Sequence, residues 1–279
     1  NKEYTNSHNL IMVTKKGQVK KTSLDKYSKP RVNGVAAITI KEGDELLEAK
    51  LTNGESQIIL AVKSGKLVRF EETKTRPMGR TASGVRGITL KDDTDEVIGM
   101  VTVDKDDIND SQILVVTENG YGKRTKLVDE DGEDVYRITN RGGKGVKTLN
   151  ITEKTGKLIS INAVTDADDL MIINKSGLTI RMAIEDLRVM GRATQGVKLI
   201  NLKGNDSIAA VTKVMKDDVV EVVVDEEGNV IETEAIERVK PVLEILEDDG
   251  TAEDDEEDDE EDADDSEEEG DEDDSDDDA

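Results

Sequence analysis

The feature that most limits how this chain folds is a fourfold internal repeat. Segments starting at Asn9 (NLIMVTKKGQVKKTSL), Gln57 (QIILAVKSGKLVRFEE), Gln112 (QILVVTENGYGKRTKL) and Asp169 (DLMIINKSGLTIRMAI) stack on one another. Each joins an apolar run to a basic strand through a turn that ends at Gly17, Gly65, Gly120 or Gly177. A second glycine leads a further strand in every copy, at Gly34, Gly84, Gly145 and Gly196. A fourth element follows in DELLEAKL, DEVIGMVT, GKLISINA and DSIAAVTK. Equivalent glycines lie 48 to 61 residues apart, a true repeat with variable loops. Four short strands per copy at this period are the signature of propeller blades, each of which buries its apolar face only against its neighbours. Enrichment in Val, Ile and Thr, and the alternation in VKKTSL and KLVRFEE, predict half-buried antiparallel strands. The expected fold is all-β, with about four four-stranded antiparallel blades over 1–216, divided as 7–55, 56–110, 111–167 and 168–216.

Charge separates a second object from the blades. The chain has 38 basic and 65 acidic residues, of which 26 acids and no base lie in 244–279, so residues 1–243 are nearly neutral at 38 against 39. Too little apolar surface remains in 247–279 to offset the entropy of ordering, and a disordered acidic tail is expected there. It serves either as a solvating tail or as a competitor for a basic surface. Residues 217–246 read as a hairpin around Glu227 and Gly228, or a linker, that seals an exposed edge of the array.

Within the repeats the bases recur in register. On the first hairpins they are Lys15, Lys16, Lys20 and Lys21; Lys63, Lys66 and Arg69; Lys123, Arg124 and Lys126; and Lys175 and Arg181. Around the second glycine they are Arg76, Arg80 and Arg86; Arg141, Lys144 and Lys147; and Arg188, Arg192 and Lys198. The acidic clusters KEGDE, KDDTDE and DADD precede the fourth strand and are expected to lie away from these bases. Equivalent loops of a repeat array share one side, so the bases should form a continuous band. Such a band is the electrostatic footprint of duplex DNA held through its phosphates, without sequence preference.

Little in the composition supports chemistry of its own. There is no Cys or Trp, a single His (His8), and four Tyr. Thiol nucleophiles, thiolate metal sites and the usual multi-histidine zinc sites are thereby excluded, and no cofactor or metal is expected. No apolar run approaches the ~18 residues of a spanning helix, and no signal peptide opens the chain, which reads as soluble and cytoplasmic. The first residue is Asn, as in a fragment of a longer protein.

The loop ITNRGGKGVKTLN, from Ile138 to Asn150, combines Arg141 and Lys144 with Gly142, Gly143 and Gly145. It is no P-loop, since Gly145 follows Lys144 where Ser or Thr is required, and Thr148 occupies the last glycine position of G-x-G-x-x-G. What remains is a loop whose backbone can approach a phosphate closely while Arg141 and Lys144 supply charge.

NRGGKG resembles the basic Q-(R/K)-R-G-G-K-G box in the C-terminal domain of the DNA gyrase A subunit, with Thr139 and Asn140 in place of Gln and a base. NGYGKRT, GKLVRF, SGVRGITL and MGRATQGVKLI are similar to later blades of that domain, as is the acidic tail. The resemblance implies a β-pinwheel, in which neighbouring blades exchange strands and DNA is bent around the outside. It further implies two partners, an N-terminal core and a gyrase B subunit, together with ATP-dependent supercoiling by the intact type IIA topoisomerase and a place in the bacterial nucleoid. No catalytic residue is expected here, since none of the tyrosines matches the context of the family's strand-cleaving Tyr. The related domain of the topoisomerase IV A subunit is the near alternative. A protein-binding propeller is the distant one, disfavoured by the absence of Trp and by 2% aromatic residues.

Overall fold

The computed structural model describes residues 7–204 and 206–215, and the backbone of 220–224 and 230–235. The expected acidic tail lies outside the described residues. So does the expected turn at Glu227 and Gly228, although the strands flanking it, Val220–Val224 and Val230–Ala235, pair antiparallel as a sheet of their own.

Each repeat contributes a central hairpin and a long outer strand. The first supplies β1 (Asn9–Thr14), β2 (Gln18–Ser23) and β3 (Leu46–Thr52). The second supplies β4 (Gln57–Val62), β5 (Lys66–Glu71), the two-residue β6 (Val85–Arg86) and β7 (Val97–Val103). The third follows the same plan with β8 (Gln112–Thr117), β9 (Tyr121–Lys126), β10 (Val146–Lys147) and β11 (Leu158–Val164). The fourth has β12 (Asp168–Asn174), β13 (Thr179–Ala183), β14 (Val197–Lys198) and β15 (Ile208–Met215). Helical structure among the described residues is limited to 3-10 turns of three or four residues after the hairpins and before β8.

Strand order shows that the blades are not closed units. The sheets run β3-β1-β2-β6, β7-β4-β5-β10, β11-β8-β9-β14 and β15-β12-β13. The glycine-led strand of each repeat therefore pairs with the hairpin of the repeat before it. The fourth sheet has three strands rather than the expected four: among the described residues no glycine-led strand lies beside β13. At the other end, the counterpart segment around Gly34 forms no strand, and Val32 beside it is fully exposed.

This exchange requires glycine at its entry. Gly84, Gly145 and Gly196 adopt positive φ of 95°, 76° and 79°. A Cβ at these positions would stand 2.6 Å from the carbonyl oxygens of Val19, Leu67 and Gly122 in the accepting strands. Only a residue without a side chain lets the two backbones approach this closely.

The core consists of the interfaces between blades. Ile58, Leu60 and Val62 of β4 pack with Ile11, Val13 and Val19 of the first repeat, while Ile59 and Ala61 of the same strand pack with Ile113 and Val115 of the third. Leu114 and Val116 of β8 turn the other way, against Leu170 and Ile172 of the fourth. A strand between two neighbours is buried on both faces, which is why QIILAV and QILVVT are continuous apolar runs rather than alternating ones. Each Ile or Leu buried this way contributes about 1.5–3 kcal/mol.

The second hairpin strands depart from expectation. β2 and β5 are buried at their four central positions, not half-buried as the alternation predicts. Their polar set is basic and lies between blades.

Candidate nucleic-acid interface

The predicted bases separate into four groups. Lys20, Lys21, Arg69, Lys123 and Arg124 are buried, none more than 6% exposed, and this corrects their expected place on the surface. Counted from the turn glycine, the fourth position of each second hairpin segment is basic, and in the first three repeats its side chain fastens one blade to the next. Lys21 Nζ donates to the Glu72 carbonyl at 3.0 Å. Arg69 donates to the Leu127 and Tyr136 carbonyls at 3.3 and 2.9 Å, to Asp134 at 2.8 Å and to Gln57 at 2.7 Å. Arg124 donates to the Leu187 and Glu185 carbonyls at 2.5 and 3.2 Å and pairs with Asp166. Arg181, in the last repeat, instead pairs with Asp169 of its own hairpin at 2.7 Å.

The third position holds Lys20 and Lys123, and these grip the loops that carry surface arginines. Lys20 Nζ donates to the carbonyls of Ala37 (2.6 Å) and Arg80. Lys123 Nζ donates to the carbonyls of Arg192 (2.6 Å) and Gly191 and to Thr194 Oγ1 (3.2 Å). Arg80 and Arg192 each stand four residues before their strand-leading glycine, so the two lysines hold equivalent loops. Val68 and Ile180 occupy the third position in the other repeats.

Burial, aided by the nearby Arg192 charge, pulls the Lys123 ammonium down to about 7. An unfolded chain keeps this proton to about 10.4, so the folding penalty is fully present below pH 7 and is relieved as pH rises through the window between the two values. Stability is therefore expected to rise by about 2 kcal/mol between pH 7 and 9 from this residue. Urea unfolding of wild type and Lys123→Met across that range tests this; parallel profiles would show that the lysine does not titrate there.

The third group faces acids rather than open solvent, which corrects the expectation that the two signs lie apart. Lys126 lies 3.8 Å from Glu130, a local pair at the end of β9, whereas Lys15 pairs with Glu45 at 2.6 Å and Lys63 with Glu96 across long loops. Lys16 accompanies Asp44, whose carboxylate accepts its backbone N–H at 2.9 Å. Topology is the cause. The outer strand runs antiparallel to the first hairpin strand, so the loop that leads into it arrives at the hairpin turn. One hydrogen bond recurs there, from Lys15, Lys63, Glu118 and Lys175 N–H to the carbonyls of Glu45, Glu96, Lys157 and Ser207. Lys175 is exposed at the last of these turns.

The fourth group comes together. Arg80 and Arg86, Arg141, Lys144 and Lys147, and Arg192 and Lys198 sit on the glycine-led segments of three successive repeats, exposed or half-exposed. These segments are tied to the accepting strands at both ends. Met78, Thr139 and Met190 N–H donate to the Lys21, Arg69 and Arg124 carbonyls, and Gly87, Thr148 and Leu199 N–H to those of Gly17, Gly65 and Gly120. They are also tied to one another, by Thr39, Thr89 and Asn150 N–H donating to the carbonyls of Ala82, Gly143 and Thr194. The loop Arg141–Gly145 thus occupies the middle of a hydrogen-bonded row. Arg141 itself donates to the Lys74 and Arg86 carbonyls at 3.2 and 3.3 Å, and Gly142 N–H to that of Gly87. Lys66 lies beside this row, directly opposite Lys147.

Two lysines near the row, Lys91 and Lys157, fall outside the repeated basic positions, Lys91 inside the acidic KDDTDE loop and Lys157 just before the third outer strand. Only the spatial arrival of those loops at the hairpin turns brings them to the row. No group of three or more metal-ligating side chains is present among the described residues. No helix among them is long and apolar enough to cross a membrane.

An all-β array of strand-exchanged, propeller-like blades with a row of bases along the exchanged segments defines a β-pinwheel. The family described as DNA gyrase C-terminal domain, beta-propeller, matches residues 8–53, 57–104, 111–165 and 168–215, and the chain belongs to that family. It is 44% identical over 208 residues to the DNA gyrase A subunit of Staphylococcus aureus strain MRSA252, and equally to that of strain NCTC 8325 / PS 47. The match covers 75% of this chain and 22% of those relatives, so the chain spans about a fifth of their length. Among solved structures, the C-terminal domain of DNA topoisomerase IV superposes with a TM-score of 0.68 at 24% identity, covering 75% of this chain and 62% of that one. A DNA gyrase A C-terminal domain does so with 0.64 at 24%, covering 77% and 68%. At this identity both establish the fold.

Proposed function

We propose that this chain binds duplex DNA along the row of glycine-led segments and bends it, as the DNA-handling part of a gyrase whose strand cleavage and ATP hydrolysis lie in other parts of the enzyme. The observation that carries this is the repetition of exposed bases at equivalent positions of three blades whose loops are hydrogen-bonded in series. Phosphates recur at a fixed spacing along a duplex, and a repeated row of cations meets them without reading bases. Holding the loops to both neighbouring blades keeps the cations in place, so the deformation of DNA is opposed by a stiff surface rather than by mobile side chains on free loops.

The gyrase reading is favoured over the topoisomerase IV one by the family match and by NRGGKG. Nicked plasmid resealed in the presence of saturating protein tests bending with fixed handedness. A shift in linking number relative to the protein-free control is expected. Topoisomers identical to the control would refute wrapping by this chain, while retained DNA in a binding assay would leave the simpler contact function standing.

A further inference from the structure

We propose that a surface depression between the second and third blades is a seat for a phosphate group. It has a volume of about 370 Å³, and Lys66, Lys91, Lys147 and Lys157 line it together with Asp92 and Asp95. Lys63 also borders it but is paired with Glu96. The two aspartates are already engaged, Asp95 by the β4–β5 turn and Asp92 by its own loop. Asp95 accepts from Ser64 N–H and Oγ at 3.0 and 2.7 Å, and Asp92 accepts from Thr94 N–H and Oγ1 at 2.9 and 2.6 Å. Four lysines from four separate segments face a depression roomy enough for a phosphate or a short polyphosphate.

An independent observation makes the same point. Lys66 of β5 and Lys147 of β10 are directly opposed partners in an antiparallel ladder. Like charges in that relation destabilise a sheet. At the equivalent pairs of the other exchanged strands, Gln18 faces Arg86 and Tyr121 faces Lys198, each with a single base. Of these three pairs the second blade's alone doubles the charge, and Lys91 and Lys157, which line the same depression, add further positive charge. Neither Lys66 nor Lys147 makes an ion pair among the described residues, and four lysines against the two aspartates leave an excess of positive charge; a local rule broken at one site in this way marks a functional position. A bound phosphate, with several acceptor oxygens and negative charge, supplies the compensation through charge-assisted hydrogen bonds.

The phosphate could belong to a DNA backbone or to a free polyphosphate. The DNA source rests on the function proposed above; the seat itself does not. The full chain is titrated calorimetrically with inorganic tripolyphosphate at about 50 mM salt, where screening is modest, and its thermal unfolding is followed with and without the ligand. Wild type is expected to bind saturably and to unfold at higher temperature when ligand is present. Lys147→Glu turns the opposed pair into an attractive one. This variant is expected to unfold at or above the wild-type temperature without ligand, yet to bind tripolyphosphate at least about 10-fold more weakly. Equal binding by wild type and variant, or no saturable binding by either, overturns the seat. Competition of tripolyphosphate with duplex DNA, and a salt slope for DNA that falls by about one unit in Lys157→Gln, assign the source to the backbone. Lys157→Gln that weakens tripolyphosphate binding but leaves DNA affinity and slope intact assigns it to a free polyphosphate. Wild type that binds tripolyphosphate and no DNA would refute the proposed function and leave the seat standing.

Discussion

Replacing Arg69 by Met is expected to destabilise the blades by about 2–5 kcal/mol, because it removes the donor of buried acceptors between two blades. The guanidinium is 1% exposed and donates to Gln57, Asp134 and the carbonyls of Leu127 and Tyr136. Met fills much of the volume but leaves two buried acceptors, Gln57 Oε1 and the Tyr136 carbonyl, without a donor, at about 1–3 kcal/mol each before relaxation, while the Leu127 carbonyl keeps the Val135 N–H. Asp134, whose side chain is 40% exposed, can turn to water, so Asp134→Ala should cost far less, about 1 kcal/mol or under. The two variants together separate the blade-to-blade hydrogen bonds from the ion pair. Urea unfolding gives both numbers. A cost below about 1 kcal/mol for Arg69→Met would mean that the network is not what joins the second and third blades.

The second expected result concerns DNA. Replacing Arg80, Arg141 and Arg192 together by Gln should flatten the dependence of log affinity on log salt by about 3 units and weaken binding about 10- to 100-fold at ~0.1 M salt. The three residues stand four positions before Gly84, Gly145 and Gly196, one on each successive glycine-led loop, and their loops are hydrogen-bonded in series. Each is taken to neutralise one phosphate, so single substitutions should change the slope by about one unit apiece and equally on unrelated sequences. Lys123 and Arg124 belong to a different class. Their side chains are spent inside the protein, and any DNA effect of replacing them should follow stability rather than the salt slope. A triple variant that folds like wild type and keeps its slope would remove the row from the interface.

Burial of the bases was the largest surprise relative to the sequence. VKKTSL and YGKRTK read as strands with one wet, basic face, since a lysine or arginine is normally exposed. The structure places Lys21, Arg69 and Arg124 between blades, where main-chain carbonyls of the next repeat line the space. Carbonyls occur at every residue and leave no mark in a sequence, so the acceptors that permit this burial could not be read in advance. The same limit hid the pairing of Lys15 with Glu45 and Lys63 with Glu96, residues about 30 apart in sequence that only the antiparallel outer strand brings together.

The periodic glycines and apolar runs were enough to define four repeats and their strand content, while the exchange of strands was implied only by the resemblance of NRGGKG and its companion motifs to a known family. Repeats and strand content are legible because they are local: a turn needs its glycine within the turn, and a strand buried on both faces must be apolar throughout. Which bases remain on the surface is a different kind of property. Lys147 is exposed and Lys123 is buried although both sit on short basic strands, because one lies on the donated segment and the other beneath the loop that the next repeat lays across it. That choice is made by contacts between residues some 70 apart, such as Lys123 with Arg192, and so belongs to the packing of the blades and not to any one stretch of the chain.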